Sequence, residues 1–166
     1  MTVDTYGWDD DLTDLTRYSA QPDDGLPLWV PRVQTQQMPC GAHFDAVRAP
    51  AVEAERAHHI LGAHSGPLLA NFYTKTWYFL LEPGLVTPQS WAVRGTRLMR
   101  TGVLIAIPPA STTHGRDVRW VVLPEQGRTD PHALHQALEG RTPPPAAPRR
   151  TRRSRTDTRS TTSSSR

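Results

Sequence analysis

The sequence predicts one α+β domain over residues 26–140, built on a mainly antiparallel or mixed sheet with two helices. Three observations lead there. Runs rich in β-branched and aromatic residues follow one another between positions 71 and 124, separated by turn residues. Only two segments carry helical patterning, residues 51–64 and the stretch after Asp130. Consecutive strands with few helices favour an antiparallel sheet over the alternating units of a doubly wound one.

Residues 1–25 are polar and acidic, with a short helical spacing of Leu12, Leu15 and Tyr18 as their only pattern. Residues 26–34 (LPLWVPRVQ) are apolar enough for an edge strand, since Pro27 and Pro31 each remove a backbone donor. In residues 43–49 Phe44, Ala46 and Arg48 alternate with Asp45 and Val47, a strand closed by Pro50. The next segment, 51–64, reads as a helix with Pro50 before it, Glu53 and Glu55 in its first turn, and Gly62 or Gly66 as its stop. Residues 67–72 and Thr76–Leu81 read as strands, joined either as a hairpin or as one bent strand. The run Trp77-Tyr78-Phe79-Leu80-Leu81 lacks alternation, as a strand covered on both faces does. Residues 85–100 show no clear period, and Trp91 is their natural anchor. Residues 102–107 (GVLIAI) and 118–123 (VRWVVL) are strands around a polar loop. Thr129-Asp130-Pro131 then starts a helix that Gly140 ends.

Charge is distributed in blocks. Residues 1–24 hold seven acids against one base, whereas residues 141–166 hold eight arginines and one acid. The segment 141–166 is low in complexity, rich in Arg, Ser, Thr and Pro, and has no apolar face with which to build a core, so it is expected to be a disordered basic tail. Cys40 is the single cysteine, which excludes an intramolecular disulfide and points to a reducing cytoplasm. No apolar run approaches the ~20 residues of a membrane span, and no membrane partner is expected. One lysine against eighteen arginines, with much alanine and proline, is the composition of GC-rich, bacterial coding.

One motif is specific. Arg100-Thr101-Gly102 opens an apolar strand that ends in Pro108-Pro109-Ala110-Ser111, followed by Gly115 and then Arg119-Trp120, while Thr76-Trp77-Tyr78-Phe79 lies upstream. In this the chain resembles bacterial and plasmid primase-polymerase domains of the archaeo-eukaryotic primase type, over about residues 65–124 and more loosely over 40–140. The resemblance implies nucleotidyl transfer by two divalent ions held on an acid-x-acid pair and a third acid, with a histidine beside them. At those positions the chain carries Asp45, Val47, Leu98 and Thr76, so one of the four groups remains. The expectation is a degenerate, non-catalytic relative that binds single-stranded nucleic acid or a replication partner, with Mg2+ entering only if catalysis survives. A regulatory or interaction protein without a nucleic-acid role is the alternative. A surviving enzyme needs acids placed elsewhere, for which Asp117 and Asp130 are the spare candidates.

The nucleic-acid contacts expected on the body are Arg94, Arg97, Arg100 and Arg119, and those on the tail are Arg149, Arg150, Arg152, Arg153 and Arg155. Base stacking then falls to Trp77, Tyr78, Trp91 and Trp120, because the tail has no aromatic residue. His59 with His64 and His132 with His135 have spacings that invite a metal, but solvated helix faces are the simpler reading and no metal site is expected. Cys40 beside His43 has no orienting third group, so a half-buried or incidental cysteine is expected rather than a nucleophile.

Overall fold

The computed structural model describes residues 25–125 and 127–141. The expected acidic arm, apart from Gly25, and the expected basic tail with Arg149, Arg150, Arg152, Arg153 and Arg155 lie outside the described residues. The chain runs β1 (Gln36–Pro39), β2 (Asp45–Pro50), α1 (Ala51–Leu61), a 3-10 turn (Gly62–His64), β3 (Leu68–Asn71), β4 (Thr76–Leu81), β5 (Arg97–Met99), β6 (Leu104–Ile107), β7 (Val118–Val122) and α2 (Pro131–Leu138). The described residues form an α+β fold with two helices and antiparallel pairing throughout. Five strands form one sheet in the order β5-β2-β4-β3-β7, and β1 with β6 forms a separate two-stranded ribbon.

The sheet's centre follows from the strands' composition. β2 and β3 are each antiparallel to β4 and so run parallel to one another, joined through α1 with β4 between them. This is a split β-α-β unit. Alternation along β2 sends Val47 and Ala49 to one face and Ala46, with Phe44 just before it, to the other. On the first face Val47, Ala49, Leu68, Phe79 and Leu81 pack against Ala54, Ala57 and Leu61 of α1 and Leu134, Ala137 and Leu138 of α2. The second face buries Phe44, Ala46, Leu69, Leu80 and Trp120 beneath Ile105 and Ile107 of the ribbon, with Val30 and Cys40. Three layers result: helices, sheet, ribbon. The two helices are also tied directly, since Arg56 donates to the Leu138 carbonyl at 3.3 Å.

The ends of elements have local causes. Asn71 and Thr76 are paired, so 72–75 is a hairpin loop, in which the Asn71 side chain accepts the Thr74 N–H at 3.0 Å. Lys75 takes a left-handed conformation (φ 53°), and its carbonyl accepts the Ala51 N–H at 2.9 Å at the start of α1. Gly62, at φ 53°, stops α1 three residues before the expected end at His64. Asp130 caps α2 by accepting the Ala133 N–H at 2.7 Å, with Pro131 in the first turn.

One expectation is corrected and one open stretch is resolved. Residues 26–34 form no strand: the Val30 N–H closes a turn onto the Pro27 carbonyl at 3.0 Å, and Val30 and Trp29 are used as apolar plugs against the ribbon-side core. The strand in this region is β1, whose residues Gln-Gln-Met-Pro are mostly exposed and carry no periodic signal; its register on β6 defines it. Within the unassigned residues 85–100, Arg97–Met99 forms the edge strand β5 on β2. Trp91 does anchor the preceding loop, donating from Nε1 to Thr96 Oγ1 at 2.9 Å and packing against the helix-side core.

Gly66 is the tightest backbone approach. A Cβ there would collide with the Thr129 backbone nitrogen and lie 2.6 Å from the Arg128 carbonyl carbon, where Gly66 N–H now donates to Thr129 Oγ1 at 3.1 Å. Gly66→Ala is expected to cost about 1–3 kcal/mol, the range for overpacking a filled site, read as a lower urea midpoint with an unchanged denaturant slope.

Candidate nucleic-acid interface and the Asp45 position

Asp45 opens β2 and is 1% exposed. Its Oδ2 accepts the Gly84 N–H at 2.9 Å and lies 3.5 Å from Arg100 Nε, while Oδ1 has no partner among the described residues. The carboxylate thus ties the turn after β4 to the turn after β5. Val47 lies directly opposite Leu98 on β5, and Asp45, two residues along, shares their face of the sheet. The three positions expected to carry acids are therefore neighbours, but Val47 is fully buried and Leu98 packs with it into the helix-side core under Val86 and Val93. Thr76, at the histidine's position, lies at the other end of β4; its hydroxyl is 2.7 Å from that of Thr74. Of the spare acids, Asp130 is occupied in capping α2, and Asp117 is exposed at the end of the loop before β7. Among the described residues no group of three His, Cys, Asp or Glu side chains is arranged to hold a metal.

The Pro-Pro motif has a structural role here. Trp120 Nε1 donates to the Pro108 carbonyl at 3.1 Å, and the Trp120 N–H donates to the Thr112 carbonyl at 2.9 Å. These bonds hold the β6–β7 loop against the ribbon-side core. The histidines are used locally: His132 meets Gln136 at 3.0 Å, and His135 lies 3.6 Å from Glu139 and edge-on to Trp91. His43 stacks on Trp29. Cys40 is buried, and its thiol is pushed up to about 12, first by desolvation and then by the negative charge of Asp45.

The structure separates the four expected arginines. Arg100 is drawn to Asp45 at one end of the sheet. Arg97 opens β5 and Arg119 lies near the start of β7, so both sit at the opposite end, on the two outer strands. Register places further cations between them: Arg48 lies directly across from Arg97, and Lys75 lies in the loop that precedes Thr76, the partner of both Pro50 and Asn71. Arg94 is exposed three residues before Arg97. Four inter-strand steps of about 4.8 Å separate β5 from β7, so this basic end is about 19 Å wide. Arg48, Lys75, Arg94, Arg97 and Arg119 have no carboxylate within ion-pair distance among the described residues, whereas Arg100, Arg128 and Arg141 do. Like charges directly opposite on paired strands repel, which leaves Arg48 and Arg97 as an uncompensated pair beside a cavity of about 200 Å³ that Thr76 and Thr96 also line.

Four aromatics were expected to stack on bases. Trp120 is core, and Tyr78 and Trp91 are half-buried against the two apolar clusters. Trp77 is half-buried and lines a second cavity, of about 300 Å³, with Phe72, Lys75 and Arg119. Sequence reasoning missed Arg48, Phe72 and Lys75. Arg48 is the one charged residue in an otherwise apolar alternation after Asp45, and the other two lie in a hairpin tip that follows a turn-forming asparagine; both were legible signals.

Two outcomes are expected. Asp45→Ala orphans the Gly84 N–H and the Arg100 guanidinium, lowering stability by about 1–3 kcal/mol in urea unfolding. For Cys40 the unfolded thiol titrates near about 8.5 and the folded thiol near about 12, so the unfolded state gives up its proton first. The wild type is then expected to lose stability relative to Cys40→Ala as pH rises from about 8.5, and Cys40 to react with thiol reagents at pH 8 only as fast as the protein opens.

Comparison with known proteins finds no matching family model, no matching curated protein and no matching solved structure. The meaning of the site therefore rests on its geometry.

Proposed function

We propose that this chain is a non-catalytic, primase-polymerase-like domain that binds single-stranded nucleic acid along the basic end of its five-stranded sheet. The observation that carries the reading is the group of cations at that end, with Arg48 and Arg97 on the ribbon face of the sheet, Arg119 on the helix face and Lys75 in the β3–β4 loop, none with a carboxylate partner among the described residues. A phosphate backbone passing around this end supplies the missing counter-charges. Arg48 and Arg97, repelling one another in the free protein, gain most from a shared phosphate, which a guanidinium fork grips in two places.

The absence of catalysis is supported by the Asp45 neighbourhood. Val47 and Leu98 stand at the positions that the resemblance assigns to metal-binding acids, and they are packed among apolar side chains. Asp45 itself is committed to the Gly84 N–H and Arg100. Two-metal transfer needs several carboxylates around both ions, and one buried carboxylate with a cationic neighbour does not supply them. The same face of a bare four-stranded sheet is where other folds stack bases; here the ribbon covers one face and the helices the other, which leaves the sheet's end for the strand.

The test is binding of a labelled single-stranded oligonucleotide by fluorescence anisotropy across a salt series, using full-length protein, a 1–142 truncation, and Arg48→Ala with Arg97→Ala in both. Each phosphate contact contributes about 0.7 to the logarithmic salt slope for a single strand. The truncation is expected to bind with reduced affinity, and the double variant to lower its slope by about one to two. Binding that vanishes with the tail, or that ignores the double variant, overturns the reading.

A further inference from the structure

At the β7 side of the basic end, the cavity of about 300 Å³ is lined by Phe72, Lys75, Trp77, Arg119 and Glu55. Its size lies at the lower limit of ligand pockets, ~300–1,000 Å³, which admits one planar ring system rather than a folded cofactor. The Arg119 guanidinium lies over the Phe72 ring at 4.2 Å from its centroid, and Phe72 remains 40% exposed. A guanidinium plane and an exposed aromatic ring are the two platforms on which proteins stack unpaired bases. Glu55 shares the lining, and its negative charge makes the cavity itself a poor phosphate site while offering an acceptor to a ring amino group. Lys75 and Arg119 keep the surroundings cationic. The loop that carries Phe72 and Lys75 is held in place by the Asn71–Thr74 bond and by the Lys75 carbonyl on the α1 N-terminus, so the platform is built before any ligand arrives.

We infer that this cavity accepts a nucleobase, stacked on the Phe72–Arg119 pair, from a strand whose phosphates lie on the basic end. The inference rests on the proposed nucleic-acid reading and adds to it a base-dependent contact. Stacking distinguishes single strands from duplexes, whose bases are already paired and stacked, and from base-free polyanions.

The experiment compares the affinity of the full chain for a short single-stranded oligonucleotide and for an abasic oligomer of equal length and charge. Phe72→Ala removes the ring, and Arg119→Lys keeps the charge while removing the stacking plane. The wild type is expected to prefer the base-bearing oligomer by roughly tenfold, within the range for one stacked base. Both variants are expected to lose most of that preference, and Phe72→Ala to bind the abasic oligomer as the wild type does. Equal wild-type affinity for the two oligomers, or a preference that survives both substitutions, overturns the base site and leaves the phosphate reading standing. Binding of neither oligomer overturns both.

Discussion

Everything in this fold leans on the double burial of β4. Its residues face the helices through Phe79 and Leu81 and the ribbon through Leu80, and it is paired along its length with β2 on one side and β3 on the other. A central strand of this kind satisfies its backbone twice and its side chains on both faces, so neither layer can shift without exposing apolar surface. At about 25 cal/mol per Å² of apolar area removed from water, each large residue in β4 outweighs any surface ion pair of the molecule. The split β-α-β unit follows from it, because β2 and β3 can flank β4 in parallel only if α1 crosses over one face.

That arrangement sorts the functional groups by position along the strands. One sheet end collects Asp45, Arg100 and Gly84, a charge pair and hydrogen bond withdrawn into the structure. The other collects Arg48, Arg97, Lys75 and Arg119, which stay uncompensated. The difference is one of desolvation. A buried carboxylate must find donors or destabilise the fold, whereas arginines at strand ends keep their heads in water and wait for an anion.

Much of this was legible from the amino-acid order because local and tertiary signals agree. Asp130-Pro131 marks a helix start through its local cap, whatever packs around it, and the unbroken apolar run 77–81 has no stable place except between two layers. β1 was not legible because Gln36–Pro39 is a strand only by virtue of its ladder to β6, and residues 26–34 looked like a strand because plugs and strands use the same apolar residues. For the site, the resemblance implied that Asp45, Val47 and Leu98 share one neighbourhood, and the register sets Val47 opposite Leu98 with Asp45 two residues along. The sequence pattern did not reveal that Arg100 lies at the far end from Arg97, since three residues of extended strand carry the chain about 10 Å. Arg48 acquires meaning only when β5 is laid beside it.

The outer strands also raise the question of what stops the sheet from growing. Among the described residues it ends at β5 and β7, each paired on one side alone. Open edges invite the addition of a strand from another molecule, and charged side chains are a common way to discourage it. Arg97 on β5 and Arg119 on β7 stand at those edges, and β5 has only three residues on which a foreign strand could register. The charge on these outer strands, together with the shortness of β5, therefore has a second consequence: it disfavours the pairing of a foreign strand at either edge.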